Sequence, residues 1–404
     1  MISARKTYRL GTHRLVEPAA TLARVRPLLP VLGITRIANV TGLDSIGLPV
    51  IMVCRPNARS IAVSQGKGLD LMAARASGVM EAVETYHAEH ITLPLKLGSY
   101  EALRYTHPLA AIRGLPRCAD SRFQPDLPML WIEGQDLLSN SPCWLPYELV
   151  HADYTLPFPP GSGCFAANTN GLAAGNHWLE ATLHGACEVI ERDANTLWNL
   201  QHIDSQRQTG LALDSISDSL CCEVLDRYHR AGLEVRVWET TTDVGVAAFL
   251  CQVRERSDHP FRLWPRPTAG SGCHPVRQIA LLRALTEAAQ VRVTFIAGSR
   301  DDLGPEEYPS QAPPDPTEEM DIHRPVRRFQ DVPTWETETF EEDLDWVLQR
   351  LETVGIQQVI AVDLTHPVLQ LPVVKVVIPG LEGADEAGDY VPGARACALL
   401  ETWA

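Results

Sequence analysis

Two acidic pairs in this chain share one spacing. The stretch ASGVMEAVETYHAE, residues 76 to 89, carries Glu81 and Glu84, and LHGACEVIERDA, residues 183 to 194, carries Glu188 and Glu191. Arg192 follows the second pair, whereas Thr85 follows the first. On a helix, residues three or four apart lie on one face, so each pair would present two carboxylates side by side. Clustered carboxylates repel one another and are costly to desolvate, and they need cations. An oxygen-only set without His or Cys suits Mg²⁺ rather than zinc, and Mg²⁺ is typically shared with substrate phosphates.

The pairs belong to a longer pattern that occurs three times. GLDLMAARASGVMEAVE (68–84), GNHWLEATLHGACEVIE (175–191) and HPVRQIALLRALTEAAQ (274–290) align without gaps. Ala74, Ala181 and Ala280 fall in register, as do Ser77, His184 and Arg283. So do Glu81, Glu188 and Glu287, followed by Glu84, Glu191 and Gln290. Glycine-rich sequence precedes each unit: SQGKG, NGLAAG and AGSGC. Self-similarity at this level predicts a repeated structural unit.

Each unit predicts a helix with a packing face and a narrow polar face. In the second, Leu179, Leu183, Ile190 and Leu197 form the apolar stripe, beside Glu180, His184, Glu188, Glu191 and Asn195. Polar helix faces are usually solvated surface. Against that stand the identical placement in all three units, the small residues at Gly78, Gly185 and Ala284, and few lysines for i, i+4 pairing. If the polar faces converge, Glu81, Glu84, Glu188, Glu191 and Glu287 share a pocket. Lys67, Arg192 and Arg283 are then the candidates for phosphate oxygens. Glycine-rich turns ahead of helix N-termini would add backbone N–H donors. SQGKG lacks the glycine spacing and the Ser/Thr of a Walker A loop, so a nucleotide site here is not a P-loop.

Helices are expected over 16–33, 70–90, 177–200 and 275–292, and in FEEDLDWVLQRLETVG. Strands are expected in ITRIANVTG, GLPVIMVCRP, IAVSQGKG, MLWIEGQDL, PCWLPYELV, EVRVWETT, VAAFLCQVR, QQVIAVDLT and LPVVKVVIPG. This alternation predicts a mixed α/β (α+β) architecture. Four segments follow: 1–60, N-terminal helix and strands; 61–300, the core with the three units; 301–340, an acidic Pro-rich loop; 341–404, a helix and strands completing the fold.

The net charge of −15 disfavours a general nucleic-acid surface. No run approaches the length of a membrane span, and the N-terminus lacks the apolar core of a signal peptide. Ten cysteines without CxxC or zinc spacing are expected to be reduced thiols in a cytoplasmic protein. Cys164, in GSGCFAANTNG, is expected to be a small structural residue rather than a nucleophile. His87 and His90 are expected to be a helix-end polar pair rather than metal ligands, and His184 is the better candidate for a pocket histidine.

The motifs together resemble the YcaO family. The resemblance rests on SQGKG, Ser77-x₃-Glu81-x₂-Glu84, NGLAAGN (Asn170–Asn176) with Glu188-x₂-Glu191-Arg192, and TEAAQ-x-R (Thr286–Arg292), and it runs from about residue 60 to 300. It implies a YcaO-like fold with three pseudo-repeated units around one nucleotide site. It also implies an ATP- and Mg²⁺-dependent enzyme that phosphorylates a peptide-backbone amide oxygen, which a nucleophile then displaces: a Cys, Ser or Thr side chain to give an azoline, sulfide to give a thioamide, or an amine to give an amidine. Ser77, Glu81 and Glu84 correspond to the family's first ATP/Mg²⁺ motif, Asn176, Glu180, Glu188, Glu191 and Arg192 to its second, and Glu287 and Gln290 to its third, with Arg292 a weaker candidate. The chain departs from azoline-forming members in ending LLETWA without a Pro-x-Pro-x-Pro tail, and no fused leader-binding domain is expected ahead of helix 16–33. EAVETYHAE, VVKVVIPGLE and YVPGARA resemble the subgroup that works with a TfuA partner and installs thioamides. The implied partners are a TfuA-like protein, a peptide or protein substrate and, as a further expectation, a second copy of the chain.

Overall fold

The computed structural model describes residues 4–256, 266–304, 308, 326–383 and 390–401. Half of the acidic Pro-rich run at 301–340 therefore lies outside the described residues, as do the last three residues of the LLETWA end. The chain divides into two compact units, each assembled from separate stretches. One comprises 1–5, 83–200 and 337–404, and the other 6–82 and 201–336. The boundary falls inside the helix Leu71–Glu89, between Ala82 and Val83.

The unit made of 6–82 and 201–336 contains two three-stranded antiparallel sheets. In the first, Val50–Cys54 lies between Arg36–Asn39 and Val63–Lys67. In the second, Ala248–Glu255 lies between Leu233–Glu239 and Thr268–Cys273. The helices Ser219–Arg230 and Arg277–Ala297 pack on the second sheet, burying Phe249, Cys251, Val253, Tyr228, Leu281 and Leu285. The Tyr228 hydroxyl donates to Leu285 O at 2.6 Å, satisfying a polar atom in this core.

The other unit is built on one six-stranded sheet. Leu95–Gly98, Met129–Asp136, Ile360–Asp363, Val373–Val377 and Leu172–Ala174 follow one another in that order, with Ser141–Pro146 also paired to Met129–Asp136. Every pairing in it is antiparallel. Val373–Val377 is buried throughout, as its run of valines requires. The helix Trp178–Asn199 packs against it.

The three repeats are visible as strand–turn–helix units: Val63–Lys67 with Leu71–Glu89, Leu172–Ala174 with Trp178–Asn199, and Thr268–Cys273 with Arg277–Ala297. Strand and helix approach at equivalent places. A Cβ added to Gly66 would lie 2.0 Å from Gly78 N and 2.2 Å from Ala74 O; one on Gly272 would lie 2.1 Å from Ala280 O and 2.6 Å from Ala284 N. The contacts match atom for atom across the alignment, so the glycines are required by backbone-to-backbone packing. In the second repeat a Cβ on Gly185 would meet Gly171 O at 2.7 Å.

The mixed α/β expectation holds, and the three long helices lie where they were placed. The third runs to Ala297, about a turn and a half beyond 292. The expected helix 16–33 is shorter: it covers Pro18–Val25, continues as a 3-10 turn at Arg26–Leu28, and the segment ends at Gly33 with φ +69°. Pro27 and Pro30 break it, because each lacks the N–H an α-helix needs. Among the described residues the longer helices Ser219–Arg230 and Ala394–Glu401 went unread, as did the short ones Tyr100–Leu103 and Ile203–Arg207.

Candidate functional site

The polar stripe is withdrawn from solvent in every repeat. Ser77, His184 and Arg283 are half-buried; so are Glu81, Glu188 and Glu287; Glu84 and Gln290 are half-buried and Glu191 is buried. No member of the nine is exposed, which removes the reading of these residues as an ordinary solvated helix face.

The carboxylates are held by the strands that precede the helices. In the unit 6–82 and 201–336, Gln65 N donates to Glu81 Oε1 at 3.3 Å and Ser271 N donates to Glu287 Oε1 at 3.3 Å. Donor and acceptor stand 16 residues apart in both cases, so the same hydrogen bond is made by two different repeats. Lys67 N donates to Ser77 Oγ at 3.4 Å, and the Lys67 ammonium meets Glu287 Oε2 at 2.6 Å. In this unit Ser77, Lys67 and Glu287 thus form a connected polar set linking the first and third repeats.

Within the other unit, Glu84 Oε1 accepts from Ala174 N at 2.8 Å, which ties the first repeat's helix to the second repeat's strand. Asn176 Nδ2 donates to Glu180 Oε1 at 3.4 Å, and Glu180 is buried. Trp178–Asn199 therefore begins with a buried carboxylate in its first turn, where the helix dipole favours it. Glu191 lies two residues before Asp193, whose carboxylate accepts from Arg395 Nε at 3.0 Å and from Glu382 N at 2.9 Å. Burial pushes Asp193 up to about 6, against the opposing effect of Arg395. Arg192 projects into solvent, whereas the equivalent Thr85 is 4% exposed.

Three further candidates are settled by their surroundings. Arg292 is fully buried, with Nε 2.9 Å from Asp44 Oδ2 and an Nη 2.6 Å from Glu255 Oε1. The guanidinium of this weaker third-motif candidate is thus engaged by two carboxylates inside the protein. Cys164 is buried in a loop wrapped around Glu148: the N–H groups of Gly163, Cys164 and Phe165 all donate to that carboxylate. Burial, reinforced by Glu148, pushes the Cys164 thiol up to about 11, so it stays protonated and inert. His87 Nδ1 and His90 Nδ1 lie 2.7 and 2.9 Å from the carbonyls of Val83 and Tyr86, as expected of a helix-end pair.

One buried charged residue also went unread. Lys375 interrupts the apolar run LPVVKVVIPG and is 2% exposed. A lone lysine in a central strand was the available signal. Its strand pairs directly with the second repeat's strand, Lys375 opposite Leu172, and its ammonium donates to Asn168 O at 2.6 Å. Burial lowers its affinity for a proton, and the nearby Glu188 charge acts in the opposite direction.

Residues 65–382 match the YcaO family, described as YcaO cyclodehydratase, ATP- and Mg²⁺-binding. The chain belongs to the YcaO family. ATP and Mg²⁺, the ligands in that description, are its cofactors. An uncharacterized protein in the tfuA 3′ region of Rhizobium leguminosarum bv. trifolii is 38% identical over 385 residues, covering 94% of this chain and 90% of that protein. An uncharacterized protein of Methanothermobacter thermautotrophicus is 34% identical over 378 residues, 91% of this chain and 94% of that one. Among solved structures, YcaO from Methanopyrus kandleri bound with AMPPCP and Mg²⁺ superposes with a TM-score of 0.74 at 24% identity, covering 97% of this chain and 99% of that one. A heterocyclase in complex with substrate and cofactor superposes at 0.78 and 22% identity, and this chain spans 54% of its length. These likenesses establish the YcaO fold.

The donor set fits Mg²⁺. Among the described residues no three His, Cys, Asp or Glu side chains gather into a cage for a metal ion. Mg²⁺ does not need one, because it is commonly held by one or two carboxylates and completes its sphere with phosphate oxygens and water. Glu81, Glu84 and Glu287, each fixed by a backbone N–H, with Lys67 against Glu287, match that requirement. No helix among the described residues is long and apolar enough to cross a membrane.

Proposed function

We propose that this YcaO protein activates a peptide-backbone amide with ATP and Mg²⁺, and that the product is a thioamide formed with a TfuA-type partner and a sulfide source. The observation that carries the thioamide reading is the relative from a tfuA 3′ region, 38% identical across 94% of this chain. The resemblance of EAVETYHAE, VVKVVIPGLE and YVPGARA to the TfuA-associated subgroup supports the same reading.

Glu81, Glu84, Glu188 and Glu191 are the proposed Mg²⁺ ligands. Lys67, Arg192 and Arg283 are proposed to meet phosphate oxygens, and Ser77, Asn176, Glu180, Glu287 and Gln290 to complete the nucleotide contacts. An amide carbonyl is a poor electrophile, and the γ-phosphoryl group of ATP would convert its oxygen into a leaving group. Sulfide then adds at the carbonyl carbon, phosphate departs with the original oxygen, and a C=S bond replaces C=O. The chain's own contribution is to position the reactants and neutralise charge.

Mass spectrometry of a peptide encoded beside the gene, after incubation with Mg-ATP, a TfuA-type protein and sulfide, tests the reading. A peptide heavier by the difference between sulfur and oxygen supports it. Loss of one water instead establishes azoline formation, and failure to bind Mg-ATP at all would leave a peptide-recruiting scaffold.

A further inference from the structure

Lys375 is a charged side chain in a place built for apolar ones. Its neighbours Val373, Val374 and Val376 are buried at 1% exposure or less, and Lys375 itself is 2% exposed. An ammonium carries three N–H donors. Among the described residues one hydrogen-bond acceptor meets it, the carbonyl of Asn168 at 2.6 Å. A buried cation with unused donors is costly unless something anionic completes its shell.

The position of Lys375 indicates what that partner is. The strand opposite, Leu172–Ala174, supplies the N–H that fixes Glu84, and the carboxylate whose charge acts on Lys375 is Glu188. Two proposed Mg²⁺ ligands and a buried ammonium thus flank one short strand. Asn168, which orients the ammonium, belongs to the NTNG turn leading into that strand. A carbonyl oxygen holding one N–H of an ammonium directs the remaining two elsewhere.

We propose that Lys375 is a phosphate-binding residue of this site, its free donors taking an anionic phosphate oxygen of Mg-ATP. This rests on the reading of the protein as an ATP-dependent enzyme. The lysine is buried and held by Asn168, so the contact is made in a medium where a charge-assisted hydrogen bond is strong.

Calorimetric titration of the full chain with Mg-ATP and with adenosine, alongside thermal melting, tests the proposal on Lys375→Met and Lys375→Arg. The methionine variant is expected to melt cooperatively at or above the wild-type temperature, because a buried charge has been removed. It should lose at least about tenfold in Mg-ATP affinity while its weak adenosine binding is unchanged. Arginine, which keeps the charge, should recover part of the lost affinity. Equal Mg-ATP affinity in wild type and Lys375→Met overturns the proposal and leaves the enzymatic reading standing. An unfolded methionine variant also overturns it, since the charge would then serve the fold without ligand. A wild-type chain that binds no Mg-ATP overturns both.

Discussion

Lys67 Nζ stands 2.6 Å from Glu287 Oε2, so the strand of the first repeat is joined by an ion pair to the helix of the third. Both side chains are partly accessible, at 23% and 28%. A pair of this exposure contributes about 1 kcal/mol or less to stability. Glu287→Gln should therefore leave the melting temperature within a few degrees of wild type. If Glu287 and Lys67 serve the nucleotide, the same change lowers Mg-ATP affinity by about tenfold, equivalent to one lost charge-assisted contact. Unchanged affinity in calorimetry would reduce the pair to a structural tie.

The matched close approaches of Gly66 and Gly272 predict matched sensitivity. Alanine at either position puts a methyl group against backbone atoms of the following helix, at 2.0–2.2 Å for the nearest contacts. Backbone cannot rotate away as a side chain can, so strand and helix must part. Gly66→Ala and Gly272→Ala should each cost about 3 kcal/mol or more in urea unfolding. Gly42→Ala, where nothing lies within 4 Å, should be close to neutral and serves as the control.

Arg192 and Thr85 occupy equivalent places with opposite environments, one exposed and one buried. Arg192→Ala is expected to lower kcat/KM for ATP sharply, by about tenfold or more, with little change in melting temperature. Thr85→Ala should leave ATP use intact. Thr85→Arg, which forces a guanidinium into a buried position, should destabilise the fold without improving activity. Loss of activity in Thr85→Ala and not in Arg192→Ala would reverse the roles given to the two helices.

Arg292 links Asp44 and Glu255 inside the unit that contains them. Arg292→Met leaves both carboxylates buried without their cation, and should cost about 3–5 kcal/mol by chemical denaturation. Its effect on ATP affinity, in whatever fraction remains folded, should be small.

Acid should weaken the protein through His13. Burial, assisted by Lys6, Arg9 and Arg14, lowers its imidazole to about 3, and His274 beside it, ring centroids 5.4 Å away, is lowered as well. Between the ordinary histidine value and that lowered one, the unfolded chain binds protons that the folded chain does not. Stability contributed by neutral His13 is therefore complete above the unfolded value and is lost as the pH falls below it. Wild type should lose about 1–2 kcal/mol more than His13→Phe between pH 7 and pH 5. Equal losses in urea titrations at the two pH values would refute this assignment.

The local pattern carried much of this protein's architecture. Three helices could be placed from periodicity because each combines an apolar stripe with small residues, and those properties belong to the segment itself. Alignment of Glu81, Glu188 and Glu287 also required only the sequence, since the repeats carry the same chemistry at the same spacing. Packing decided the rest. Whether Arg292 faces a ligand or a pair of buried carboxylates depends on Asp44 and Glu255, which are remote in sequence. Lys375 reads as an interruption of a strand until its partner strand brings it to Asn168 and Glu188. The difference between Thr85 and Arg192 is likewise one of burial, set by what each helix packs against. Residue type and spacing fix which groups can ionise or coordinate; the low dielectric and the fixed backbone donors around them, which determine what those groups do, come only from the folded chain.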